Sequence, residues 1–169
     1  MFRILFFVLL FSFINIVSAQ TAEEFYIKGI QKMDEHKYTE AIVEFTNAIN
    51  KNNKFSEAYL KKGTCLEILG DNEKALADFD KVIDLNPDNS IAHYNRGLIN
   101  KEMNNYEEAI NDFSSAIALN TSLKYAFFNR ALCKLRLDDY ENACDDLSKA
   151  ADLGVENAAE IYKYTCKKP

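Results

Sequence analysis

Five glycines and two prolines in 169 residues argue against long irregular loops, since these residues dominate turns. No Gly/Ser linker or low-complexity tract divides the chain. Positive charge is the minority, with 20 Lys and Arg against 26 Asp and Glu and a net charge of −6. Without a basic stripe, nucleic acid and anionic membranes are poor partners. Only two histidines are present, His36 and His93, and neither has Cys or carboxylate neighbours at metal-ligand spacing. A Gly-rich phosphate loop and a nucleophile motif are both missing. These absences point away from an enzyme, and no cofactor or metal is expected. The acidic group Asp138, Asp139, Asp145 and Asp146 reads as a solvated helix end rather than a cation site.

One long apolar run exists, at the start. Residues 1–19 carry a single basic residue, Arg3, then apolar chain to Val17, and close on Val17-Ser18-Ala19. Small residues there suit a signal peptidase. A spanning helix is the alternative, because the run approaches bilayer length. Ser12 and Asn15 interrupt it, and no basic stop-transfer cluster follows. The expectation is a cleavable signal peptide over 1–19 and one domain over 20–169, exported to a periplasmic or secreted location, with no membrane insertion of the mature chain. Losing the leader removes only Arg3 among the charges and leaves the remainder more acidic. About 150 residues can bury a substantial core in one domain.

Past residue 20 the chain repeats itself. Ala41, Ala75, Ala109 and Ala143 stand 34 apart; so do Phe45, Phe79, Phe113 and Leu147. The same step joins Ala48, Val82, Ala116 and Ala150, and also Gly29, Gly63, Gly97 and Ala131. Each period holds two amphipathic windows. In the third, the helices are predicted over about 90–104 and 106–119. Ala109, Ile110, Phe113, Ala116 and Ile117 make one apolar stripe on the second. Gly97 and Ala109 are expected to face each other where the two helices come closest, with Phe113 filling a wider gap beyond.

This pattern resembles the tetratricopeptide repeat over residues 22–157, as copies 22–55, 56–89, 90–123 and 124–157. The family's fourth-position Trp is replaced by Phe25, Tyr59, His93 and Phe127, and its turn Pro occurs once, as Pro87. An aromatic at the seventeenth place is kept as Tyr38, Tyr106 and Tyr140 but not at Asn72. The resemblance implies an all-α, right-handed α-solenoid of four helix-turn-helix repeats. Gly154 offers a stop, and a C-terminal capping helix is expected over about 156–168. Its apolar side would carry Ala158, Ile161 and Tyr164, and its wet side Glu160, Lys163 and Lys167.

In this family the first helix of each pair lines a concave groove. The places carried over are Tyr26, Leu60, Tyr94 and Phe128 at the fifth, and Ile30, Thr64, Leu98 and Leu132 at the ninth. The second place is Glu23 and Glu57 in the first two copies, then Ile91 and Tyr125. Asn95 and Asn129, at the sixth, could bond a peptide backbone. The resemblance thus implies a non-catalytic scaffold holding a protein or peptide ligand in an apolar-aromatic groove. The alternatives are that these residues pack between helices, that the protein is a self-associating structural subunit, or that it serves an exported enzyme or envelope complex. Relatives that clamp a carboxylate use Lys and Asn at places five and nine of one copy, Asn at six of the next, and Lys and Arg at two and six of the third. Here those places hold Leu60, Thr64, Asn95, Tyr125 and Asn129, or, one copy earlier, Tyr26, Ile30, Lys61, Ile91 and Asn95, so that reading fails.

Four cysteines remain. Cys65 and Cys133 share one place in copies two and four, so roughly 20 Å should separate them by helix-packing distances. No disulfide spans that, and they read as buried apolar residues. Cys144 and Cys166 lie equally far from Val155, so antiparallel helices would bring them level. A bond there would tie the cap to the last repeat; two separate thiols is the other reading.

Overall fold

The structure, a computed structural model, describes residues 20–166. The leader segment 1–19, together with Lys167 and Lys168, lies outside the described residues. Among those described, helices run in pairs: α1 (Ala22–Asp34) with α2 (Tyr38–Lys51), α3 (Ser56–Ile68) with α4 (Asn72–Leu85), α5 (Ser90–Glu102) with α6 (Tyr106–Leu119), and α7 (Lys124–Arg136) with α8 (Tyr140–Asp152). A final helix, α9 (Glu156–Thr165), packs on α8. Each pair is an antiparallel hairpin stacked on the next, so the fold is the expected α-solenoid.

Each hairpin turns on one left-handed residue. His36, Gly70, Asn104 and Asp138, again 34 apart, have φ between 58° and 78°. The residue after each donates its N–H back across the turn, as Asn105 does to Asn100 O at 2.8 Å and Asp71 to Leu66 O at 2.9 Å. This double closure satisfies carbonyls that a helix end leaves bare. It also stops α5 at Glu102, two residues short of the predicted end. Only Gly70 adopts the conformation without strain. The other three share a second device: the tyrosine two residues on bonds their side chain, Tyr38 to His36, Tyr106 to Asn104 and Tyr140 to Asp138, at 2.6–3.1 Å. Where Gly70 supplies the freedom, Asn72 stands in the tyrosine's place.

The hairpins close on a ring. A Cβ added at Gly97 would lie 2.9 Å from Cε1 of Phe113, and one at Gly63 would lie 2.8 Å from Cε1 of Phe79. Gly29 meets Phe45 in the same way. The glycine therefore faces the phenylalanine rather than Ala109, correcting the expected pairing. The fourth copy has Ala131 and Leu147, both fully buried, so the one added methyl comes with a smaller side chain opposite.

A second column was not foreseen. Lys62 bonds Asp78, Arg96 bonds Asp112 and Arg130 bonds Asp146, at 3.0, 2.6 and 2.6 Å. Each carboxylate is buried in the hairpin. Both arginines also reach back into the preceding hairpin, Arg96 to Asp80 at 2.6 Å and Arg130 to Ser114 at 3.0 Å. Asp146 further accepts from Lys134 at 2.7 Å, so the last acidic cluster is not simply a solvated end. Lys62, a single point donor, leaves Asp78 Oδ2 buried without a partner.

At the C-terminus, α9 covers the last hairpin with Val155, Ala158, Ile161 and Tyr162. Tyr164 is 75% exposed, so the predicted apolar side is shifted: Ala158, Ile161 and Tyr162 follow the i, i+3, i+4 spacing and Tyr164 points away. Cys144 and Cys166 are joined, with Cα atoms 5.7 Å apart, which adds about 3 kcal/mol in the chain-entropy model. Cys65 and Cys133 are free and fully buried. Burial pushes both thiols up to about 11, against the opposing charges of Lys61 and Lys101.

Two outcomes follow for stability. Gly97→Ala is expected to cost about 2 kcal/mol by overpacking. Adding Phe113→Leu should recover part of that loss, because the pair then matches Ala131 and Leu147. Denaturant midpoints of the full cycle check this, and simple additivity would refute it. Burial also holds the Asp78 carboxyl above the usual carboxylate range, with Lys62 opposing. The folded chain therefore binds that proton more tightly than the unfolded one. The penalty is full at neutral pH, fades as pH falls through the folded pKa, and is gone below the unfolded value. Lys62→Arg, by bonding both oxygens, should add about 1 kcal/mol near neutrality and move the Asp78 titration down. Unfolding curves and a carboxyl NMR titration read both effects.

Candidate functional site

Curvature assigns the inner face. α1 touches α3, α3 touches α5 and α5 touches α7, whereas contact between successive second helices is slight or absent. Helices that crowd together lie on the concave side. The first helices therefore line the groove, and α9 closes its C-terminal end.

The groove residues divide into those that hold the array together and those that are free. Tyr94 is half-buried; its ring packs against Phe113 with centroids 5.8 Å apart, and its hydroxyl accepts from Asn129 Nδ2 at 3.4 Å. Burial first, then the charge of Glu67, raises its pKa. Burial first, then the charges of Glu57 and Glu23, raises the Tyr26 pKa. Tyr26 packs on Phe45 and Phe55. Ile30, Leu60, Leu98, Phe128 and Leu132 are half-buried, and so are Thr64 and Asn95. Thr64 donates its hydroxyl to Leu60 O at 3.0 Å.

Asn129 differs from its expected role. It is 7% exposed, its amide donates to Tyr125 O at 2.8 Å, and its Oδ1 accepts from Lys101 at 2.6 Å. Those bonds tie α5 to α7 and leave it little capacity for a ligand backbone. By contrast Ile91 is 43% and Tyr125 53% exposed. Together with Tyr94, Asn95 and Leu123 they line a cavity of about 320 Å³. On the other side of Tyr125 a cavity of about 390 Å³ runs past Phe128 to Asn157 at the start of α9. Tyr125 thus stands between two hollows.

Three residues at the turn end of the groove, Lys101, Leu135 and Arg136, went unnoticed in the sequence. With Tyr106 they surround a cavity of about 510 Å³ whose floor includes Leu132. Lys101 and Leu135 share the 34-residue step with Glu67, so no common residue type marks that column. His93 bonds Pro87 O at 3.0 Å, and His36 occupies a turn. Among the described residues no group of His, Cys, Asp or Glu could hold a metal ion. No helix among them is long and apolar enough to cross a membrane.

Comparison with known proteins identifies the repeat. Tetratricopeptide repeat models match residues 90–122 and 125–153, and a TPR repeat model matches 68–104. The chain therefore carries tetratricopeptide repeats. Among solved structures it is similar to MamA 41-end from Desulfovibrio magneticus RS-1, at 20% identity and TM-score 0.81, covering 87% of this chain and 84% of that one. It is also similar to YrrB, described as a TPR protein with an unusual peptide-binding site, at 22% identity and TM-score 0.75, covering 85% of this chain and 74% of that one. Identities this low establish the shared fold alone. No curated protein matched in the corresponding search.

The division into fixed and free residues is testable. Tyr94→Ala should cost about 3 kcal/mol as a buried aromatic loss, whereas Tyr125→Ala should stay within about 0.5 kcal/mol. Chemical denaturation of the two variants separates them, and equal losses would show that Tyr125 is part of the core.

Proposed function

We propose that the protein is a non-catalytic adaptor that binds a peptide or protein segment in its concave groove, outside the cytoplasm. The observation carrying this reading is the exposure of Ile91 and Tyr125 beside open hollows on the inner face. Large apolar side chains left in the open on a concave surface mark interaction sites. Tetratricopeptide arrays generally mediate protein–protein contact, which supports the same reading. Export is supported by the layout of residues 1–19 and accords with the joined Cys144 and Cys166, since disulfides persist in oxidising compartments. Self-association is the second reading. Leu69, Met103 and Leu137, at the second, third and fourth hairpin turns, form a separate exposed apolar row that another copy could cover. Service as an accessory subunit of an exported enzyme or envelope complex is a special case of the adaptor.

The test is capture from the exported fraction with the natively processed chain, using Ile91→Ser/Tyr125→Ser as the control. Both positions are exposed, whereas loss of Tyr94 would also weaken the fold. A protein retained by the native chain and lost with the control is the expected result. Mass in solution is read alongside. Recovery of the chain alone, with a dimer that the control converts to monomer, would overturn the adaptor in favour of a structural oligomer.

A further inference from the structure

Three junctions join the four hairpins, and they are tied unequally. At the third, Arg130 of α7 reaches Ser114 of α6 at 3.0 Å, and Lys101 of α5 reaches Asn129 of α7 at 2.6 Å. At the second, Arg96 of α5 reaches Asp80 of α4 at 2.6 Å. At the first the corresponding places are filled but make no such bond. Lys62 bonds Asp78 of its own hairpin, and Thr46, at the place of Asp80 and Ser114, donates to Ile42 O within α2. Met33 and Lys61 stand where Lys101 and Asn129 do, and a thioether offers Lys61 only a weak acceptor. Among the described residues, no side-chain hydrogen bond or ion pair spans the first and second hairpins.

The links and the core follow the same gradient. Pro87 stiffens the link before α5, and Asn89 caps that helix by accepting from Ala92 N at 3.0 Å. In the link before α3, Asn53 takes the place of Pro87, and Phe55 stands at the N-cap without a side-chain bond. Ser56 Oγ, at the link itself, is buried without a partner. From the third hairpin to α9 the apolar side chains form a single packed cluster, which the Cys144–Cys166 bond closes. The first two hairpins contribute instead to three smaller clusters.

We propose that the first hairpin, residues 22–51, is a hinged jaw that swings as a unit on the 52–55 link against a stack tied progressively more firmly towards α9. Apolar packing holds the jaw on, since Ala58 and Cys65 of α3 lie in clusters with first-hairpin side chains. Such contact is non-directional, so it keeps two hairpins together while they slide. A forked guanidinium bonded on both sides of a junction fixes the angle. Tyr26 and Ile30 ride on α1, so the swing sets the width of the inner face at that end. The movement belongs to the chain alone and does not rest on the groove reading.

The experiment places spin labels at one repeated, exposed place on the second helices. Val43→Cys/Asn111→Cys spans the first two junctions, and Ala77→Cys/Asp145→Cys spans the last two. Cys65 and Cys133 stay unlabelled, because both are fully buried with thiols pushed up to about 11. Each pair lies two repeats apart, so a uniformly stiff stack would give distance distributions of equal width by pulsed electron paramagnetic resonance. The first pair is expected to be at least about twofold wider, the mark of a domain-scale motion. Lys62→Arg should narrow it to the width of the second pair, by giving Thr46 the bond that Ser114 receives from Arg130. Arg96→Lys should widen both pairs, since both span the second junction. Amide hydrogen exchange of the native chain should leave the interiors of α1 and α2 protected, as a rigid swing requires. Equal widths in the native chain would overturn the hinge. So would a wide first pair that Lys62→Arg leaves unchanged, an Arg96→Lys variant of native width, or rapid exchange throughout α1 and α2, which would mean local unfolding instead. Peptide capture plays no part, so failure of the groove reading and failure of the hinge are read separately.

Discussion

The seating of a phenylalanine ring on a glycine of the facing helix sets the dimensions of everything else. Phe45, Phe79 and Phe113 each lie where a Cβ on the partner glycine would collide. The two helices of a hairpin therefore approach more closely than side chains ordinarily permit. That approach decides where neighbouring side chains end up. With the helices this close, a cation seven places into the first helix meets a carboxylate twenty-three places into the repeat, buried at the hairpin's flank. The same cation, if long and forked, also reaches the second helix of the preceding hairpin. Arg96 and Arg130 do both. Lys62 has only one ammonium and serves its own Asp78 alone.

Such buried pairs do not supply most of the stability, because desolvation consumes much of the attraction. Their value lies in geometry. A guanidinium bonded to a carboxylate in its own hairpin and to an acceptor in the previous one fixes how far one hairpin rotates on the next. Repeated along the chain, that rotation becomes curvature. Curvature brings the first helices into mutual contact and produces a concave face. In the first hairpin Glu44 Oε2 is buried unpaired while Lys28 lies over Phe25. At the other end, α9 and the Cys144–Cys166 bond close the stack.

On that concave face the same residue types do different work. Tyr94 braces the core against Phe113, while Tyr125, further toward the helix start, projects between two hollows. Asn129 ties α5 to α7, with its donors and its oxygen engaged. A place that lines a groove in one repeat can be part of its wall in the next. What remains for a ligand is a shorter set, weighted to the last two hairpins.

The sequence by itself determined the helical class and the 34-residue helix-turn-helix unit. A 34-residue step repeated in four columns admits one folding unit, and the small and aromatic residues in those columns must pack. It also marked the level at which Cys144 and Cys166 meet, because two antiparallel helices running from a common turn place equal offsets side by side. What it did not reveal was rotation about each helix axis and the reach of long side chains. The ring of Phe113 rather than Ala109 faces Gly97; Tyr164 turns outward where Tyr162 turns in; Asp146 is buried beside Arg130 and Lys134; and Arg136 is left unpaired beside a hollow. Each depends on a few degrees of helix rotation or on a partner sixteen or more residues away. Periodicity locates a side chain on a face, but only the packed neighbours decide whether it is spent on the fold or left for a ligand.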